Sequence, residues 1–86
     1  MYEIAQRTLP LRTEPPGEVT VTIGLPYEEP DGEWSCPYRI DGLDGWEHER
    51  KVSGTDSLHT LELVVGVVRA AIRGSHEAQE GLLAWD

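Results

Sequence analysis

Gly54-Thr55-Asp56-Ser57-Leu58-His59-Thr60-Leu61-Glu62-Leu63-Val64-Val65-Gly66-Val67-Val68-Arg69 holds the one long apolar run of the chain, and its reading decides the fold. A row of valines suits a buried strand as well as a helix. Three features favour a helix over residues 56–73. The run is longer than an ordinary strand. Thr55, Asp56 and Ser57 can each accept a hydrogen bond from the free amides of a first turn, and Asp56 puts negative charge at the positive end of the helix dipole. Arg69 and Arg73 lie towards the far end, where cations are favoured, and Gly74 is a natural stop. Leu58, Leu61, Val64, Val65, Val68, Ala71 and Ile72 then form a stripe at helical spacing, broad enough to lie across the apolar face of a sheet.

The sheet is written upstream. Glu18-Val19-Thr20-Val21-Thr22-Ile23-Gly24-Leu25 alternates strictly, with Val19, Val21, Ile23 and Leu25 on one face and the threonines on the other. Pro26 stops it, and Pro30-Asp31-Gly32 marks a turn. Residues 33–41 alternate again: Trp34, Cys36, Tyr38 and Ile40 share one face. Pro37 lacks a donor, so this strand must be at an edge, bulged, or paired on one side only at that point. Asp41-Gly42-Leu43-Asp44-Gly45 has hairpin length, and residues 46–52 read as a third strand of the meander. Residues 2–9 read as an edge strand, because Pro10 suits no central one. Thr13 to Gly17 is a turn by its breakers. Ser75 to Gly81 is a polar loop or frayed helix. Leu82 to Asp86 is apolar enough to pack on the sheet or the helix, as a short terminal strand at most. The expectation is a single α+β domain over residues 1–86, an antiparallel meander of three or four strands with one helix packed on one face.

Composition narrows the functions. Eighty-six residues hold one core, and a chain this short buries only roughly 60% of its unfolded surface. Sixteen acidic against seven basic residues leave a net charge of −9, which repels phosphate backbones and attracts basic protein surfaces. Nucleic acid is therefore not the expected partner. Cys36 is the only cysteine. It can form no internal disulfide and suits a reducing compartment. No segment has signal-peptide or membrane-span character. The expected location is the cytoplasm.

No chemistry converges. Cys36, His48, His59 and His76 fall on separate elements without paired spacing, so no metal site is expected. Cys36 shares an apolar face and reads as a core thiol rather than a nucleophile. Glu28, Glu29, Asp31 and Glu33 form an acidic loop without the spacing of a calcium site. Trp34 and Trp46 flank a hairpin loop and are expected to pair across strands. No catalytic residue, cofactor or metal ligand is assigned. On the helix's outward side Leu63, Gly66, Val67 and Ala70 combine apolar and small residues. They make the candidate surface for a partner protein or for a second copy of the chain.

Two resemblances bear on function. Gly54-Thr55-Asp56-Ser57-Leu58-His59-Thr60-Leu61-Glu62-Leu63-Val64 resembles the attachment motif of acyl and peptidyl carrier proteins. That resemblance implies a helical bundle and a phosphopantetheine arm on Ser57. It covers about eleven residues, and the sheet read upstream is incompatible with the bundle. The order Val-x-Val-x-Ile-Gly-x-Pro, Asp-Gly-x-Trp-x-Cys-Pro-Tyr-x-Ile-x-Gly and Gly-x-Asp-Ser-Leu-x-x-Leu, from Val19 to Val68, looks like a family of small uncharacterised bacterial domains. It implies a few strands followed by a helix and brings no catalytic residues. The resulting functional expectation is a small acidic, non-catalytic protein-interaction module, one form being an immunity-like protein that neutralises a basic nuclease. The alternative is a carrier protein modified at Ser57.

Overall fold

A computed structural model describes residues 1–86. Five strands run β1 (Glu3–Leu11), β2 (Gly17–Gly24), β3 (Tyr27–Glu28), β4 (Trp34–Asp41) and β5 (Arg50–Gly54), followed by α1 (Ser57–Arg73) and α2 (His76–Gln79). All pairings are antiparallel. β1 and β5 are the edges, and β2 and β3 both pair with β4. The α+β meander with one main helix is therefore the observed architecture, with one more strand than the sequence suggests.

The extra strand explains Pro37. The β2–β4 ladder ends at the Ile23–Tyr38 pair and resumes at Tyr27–Ser35. Cys36 and Pro37 face the interruption between them. Pro37 thus sits in a central strand at the point where the neighbouring strand breaks, so no β2 or β3 residue pairs with it on that side. The Cys36 thiol lies in the gap and donates to the Gly24 carbonyl oxygen at 3.2 Å. Leu25, expected on the core face, falls in the break and is 50% exposed.

The core face follows the alternation upstream of the break. Val19, Val21, Cys36, Tyr38 and Ile40 are buried there against Val64, Val68 and Ile72 of α1. Helix start and stop are as the sequence implies. Asp56 is the N-cap, its carboxylate accepting from the His59 amide at 2.8 Å, and Gly74 ends α1 in a right-handed conformation. The buried stripe is rotated from the expected one. Thr60 is fully buried, while Leu58 is 65% exposed. The rotation follows from the close approach of the Gly54 backbone. A Cβ on Gly54 would stand 2.6 Å from the Thr60 hydroxyl, so the first turn meets the sheet through Thr60. That hydroxyl is satisfied by donating to the Asp56 carbonyl oxygen at 2.6 Å.

The segment after β4 departs from the expected third strand of the meander. Residues 46–49 are not strand, and the pairing of β5 begins only at Arg50. Gly42 and Gly45 adopt φ of +93° and +88°, and a Cβ on Gly42 would collide with the Glu18 carbonyl oxygen. The connection therefore turns in more tightly than a simple hairpin loop and buries Leu43. Trp46 leaves with it. It packs on Tyr38, ring centroids 6.5 Å apart, and not on Trp34. The C-terminal segment packs on the sheet, as its apolar residues imply, without forming a strand. It crosses the β1–β2 half of the core face, which α1 leaves uncovered. Leu82 accepts from the Arg12 amide at 2.9 Å and Leu83 is buried. Arg7 stacks over Trp85 at 4.5 Å and pairs with Asp86 at 3.0 Å. Helix and tail together close one face of the sheet and leave the other open.

Candidate interaction surface

Alternation puts Pro37, Lys51 and Tyr27 on the open face, since Pro37 pairs with Lys51 and Tyr27 with Ser35. A cleft of about 570 Å³ lies there, over the break in the sheet. Met1, Tyr2, Leu25, Tyr27 and Pro37 line it, with Glu49, Arg50 and Lys51 opposite. Its geometry depends on Gly24. The Met1 side chain crosses the sheet where Gly24 has none, and a Cβ there would stand 2.5 Å from Met1 Cγ and 2.7 Å from Pro37 Cγ. The amide of Leu25 donates to the Tyr2 carbonyl oxygen at 2.7 Å, which fixes the N-terminal residues beside the break.

Six large hydrophobic residues are exposed, and four of them line this one cleft: Met1, Tyr2, Leu25 and Tyr27, with Tyr2 75% exposed. A fifth, Ile4, is two residues from Tyr2. Such clustering is what marks a contact surface, where scattered single residues do not.

The charges lining the cleft are engaged with near neighbours. Lys51 Nζ donates to Glu29 Oε2 at 2.7 Å, and Glu29 also accepts from Ser35 Oγ at 3.0 Å. The Lys51 hydrogen bond is the chief cause holding the Glu29 carboxyl below its usual range, with Ser35 second. The same bond holds the Lys51 ammonium above its own. The Arg50 guanidinium lies 4.4 Å over the Trp46 ring and donates to the Gly45 carbonyl oxygen at 3.1 Å. Glu49 is 4.0 Å from the Met1 amino group. The cleft is therefore an apolar recess whose rim charges are engaged with near neighbours, Lys51 and Glu49 by opposite charges and Arg50 by an aromatic ring and a backbone carbonyl. Beyond the rim, Glu28, Asp31 and Glu33 in and beside the β3–β4 turn are exposed and make no ion pair.

A family model matches residues 5–86. The chain belongs to that family, a domain of unknown function (DUF6968). No curated protein and no solved structure matches it. The DUF6968 match includes Leu25, Tyr27, Pro37 and the Glu49–Lys51 wall of the cleft, while Met1 and Tyr2 precede it.

The residues singled out from sequence fall elsewhere. Leu63 and Val67 on α1 are half-buried, with Val67 packed against the core, while Gly66 and Ala70 are exposed. The C-terminal tail does not reach them, since it lies on the β1–β2 side. A shallower groove of about 370 Å³ runs beside Gly66, between Leu61, Val65, Glu62 and Arg69. Ser57 is the first residue of α1, exposed, and makes no side-chain hydrogen bond. Around it lies a sheet, not the helical bundle that the carrier resemblance implies. Cys36 is fully buried and desolvation pushes its thiol pKa up. His48 sits in the β4–β5 connection, His59 in the first turn of α1 and His76 at the start of α2. No helix is long and apolar enough to cross a membrane.

The cleft escaped sequence reading for a definite reason. Its parts come from the N-terminus, the β2–β3 break, the middle of β4 and the start of β5. Only the break had a local signal, Gly24-Leu25-Pro26 opposite a strand proline.

Proposed function

We propose that the chain is a non-catalytic protein-interaction module that binds a basic partner, using the open-face cleft as its docking surface. The observation that carries the reading is the gathering of four of the six exposed large hydrophobics in one recess. An apolar side chain of the partner enters between Tyr2, Leu25 and Tyr27, where the exposed apolar side chains are gathered. The net charge of −9 supplies long-range attraction and raises the association rate. Inhibition of a basic enzyme, as by an immunity protein, is one form this takes. The non-catalytic part of the reading rests on the buried thiol bonded to a backbone carbonyl and on histidines spread over separate elements. A lone buried thiol also suits a reducing compartment, so the module is assigned to the cytoplasm.

Leu25→Glu is the test. Leu25 is half-exposed and in no strand, so the variant folds as the wild type does, checked by far-UV circular dichroism. Partner affinity falls by about 30-fold, the equivalent of roughly 2 kcal/mol for a central anchor. An unchanged affinity sinks the proposal. The carrier reading makes a different demand. Incubation with a phosphopantetheinyl transferase and coenzyme A would add one prosthetic arm, lost in Ser57→Ala, whereas a binding module keeps its mass.

A further inference from the structure

β1 pairs with β2 alone, so its outer edge carries a row of unpaired backbone donors and acceptors over Glu3–Leu11. Edges of this length are usually blunted or covered. Here the blunting is confined to the ends. A register shift lies between Glu3 and Ala5, and Pro10 withholds one donor. The stretch between them is clear. Two charges flank it, Glu3 at its start and Arg12 just past its end, both exposed. Neither makes an ion pair, unlike Arg7, which is held by Asp86, and Arg39, held by Asp41.

We infer that β1 is a self-recognition edge, and that two copies of the chain pair antiparallel through it, joining their sheets into one. A two-fold axis near the middle of β1 brings Glu3 of each copy to the Arg12 end of the other, so an edge with opposite charges at its two ends is complementary to itself. The exposed Ile4 of each copy, near Glu3, is carried towards the half-buried Leu11 of the other. The like net charges oppose association only weakly at physiological ionic strength, where screening acts beyond about 8 Å. The end pairs lie inside that distance. This interface is separate from the cleft and from the outward side of α1.

Sedimentation velocity over a concentration series is the experiment, on wild type, Glu3→Arg, the double swap Glu3→Arg/Arg12→Glu, and Val67→Glu on the helix. All three variants, with substitutions only at exposed or half-buried positions, are checked for fold by circular dichroism. The expected result is a species of about twice 9.6 kDa that dissociates about tenfold more readily in Glu3→Arg. It is restored in the double swap and unaffected by Val67→Glu. A monomer at every concentration overturns the inference. So does a dimer indifferent to Glu3→Arg, or one abolished by Val67→Glu, which would move the interface to the helix.

Discussion

Replacing Asp56 by Ala separates a helix cap from an attachment motif. The Asp56 carboxylate accepts from the His59 amide at 2.8 Å, one of the free donors of the first turn. The backbone of Asp56 is extended, with φ of −153° and ψ of 176°, which alanine adopts without strain. Its carbonyl oxygen keeps its own bonds from the Thr60 amide and hydroxyl. The substitution therefore removes the cap and little else. Such losses cost about 0.5–2 kcal/mol. Asp56 is exposed, so water recovers part of the lost bond, and about 1 kcal/mol is expected. For a domain of this size that lowers the melting temperature by about 4–8 °C. Ser57 donates and accepts nothing through its side chain, so Ser57→Ala stays within about 0.5 kcal/mol of wild type. Thermal melts followed at 222 nm, a conventional helix wavelength, read both. A fall in Ser57→Ala as large as that in Asp56→Ala would refute the reasoning, and so would an unchanged Asp56→Ala.

Other consequences follow from the same contacts. Ile72 is fully buried between α1 and the sheet, so Ile72→Ala costs about 2–5 kcal/mol. Total stability at this length is on the order of 4–13 kcal/mol, so the variant melts far below wild type, and an intact midpoint in urea would show that the helix does not close this core. The Glu29 carboxyl is held below its ordinary 4.5 by Lys51 and Ser35. Its contribution to stability is complete above that ordinary value and is lost as pH falls through the depressed one. Wild type should thus lose urea resistance more steeply than Glu29→Gln between about pH 6 and about pH 3, and parallel slopes would contradict the bridge. Cys36 is buried with its pKa raised by desolvation, so a thiol reagent labels it slowly in the folded protein and rapidly in denaturant. Rapid labelling of the folded state would mean that the β2–β3 break opens.

The fold was legible where local pattern and tertiary burial agree. The alternation from Val19 to Ile23 and from Trp34 to Ile40 follows a face that α1 and the tail bury. Asp56 and Gly74 bracket a helix whose ends are set by cap chemistry. Legibility failed where one segment answers to another. Leu25 continues the alternation in sequence, but the strand breaks opposite Pro37, and the residue is left at the surface. Leu58 fits the helical stripe, but Gly54 admits Thr60 instead and turns Leu58 outward. Trp46 to Glu49 alternate in sequence, yet the positive φ of Gly42 and Gly45 carries them out of the sheet. The cleft is illegible for the same reason on a larger scale: four separate segments make it, and none has a motif of its own. The helix surface at Leu63, Gly66, Val67 and Ala70 was readable because it lies on one element, which is an argument about visibility and not about binding.

The most direct measurement is an amide chemical-shift map of the ¹⁵N-labelled protein titrated with its purified partner. The account predicts that the largest changes fall at Tyr2, Leu25, Tyr27 and Lys51, around the open-face cleft, with the outward side of α1 nearly silent. Changes centred on Leu63, Gly66, Val67 and Ala70, with the cleft unmoved, would contradict it.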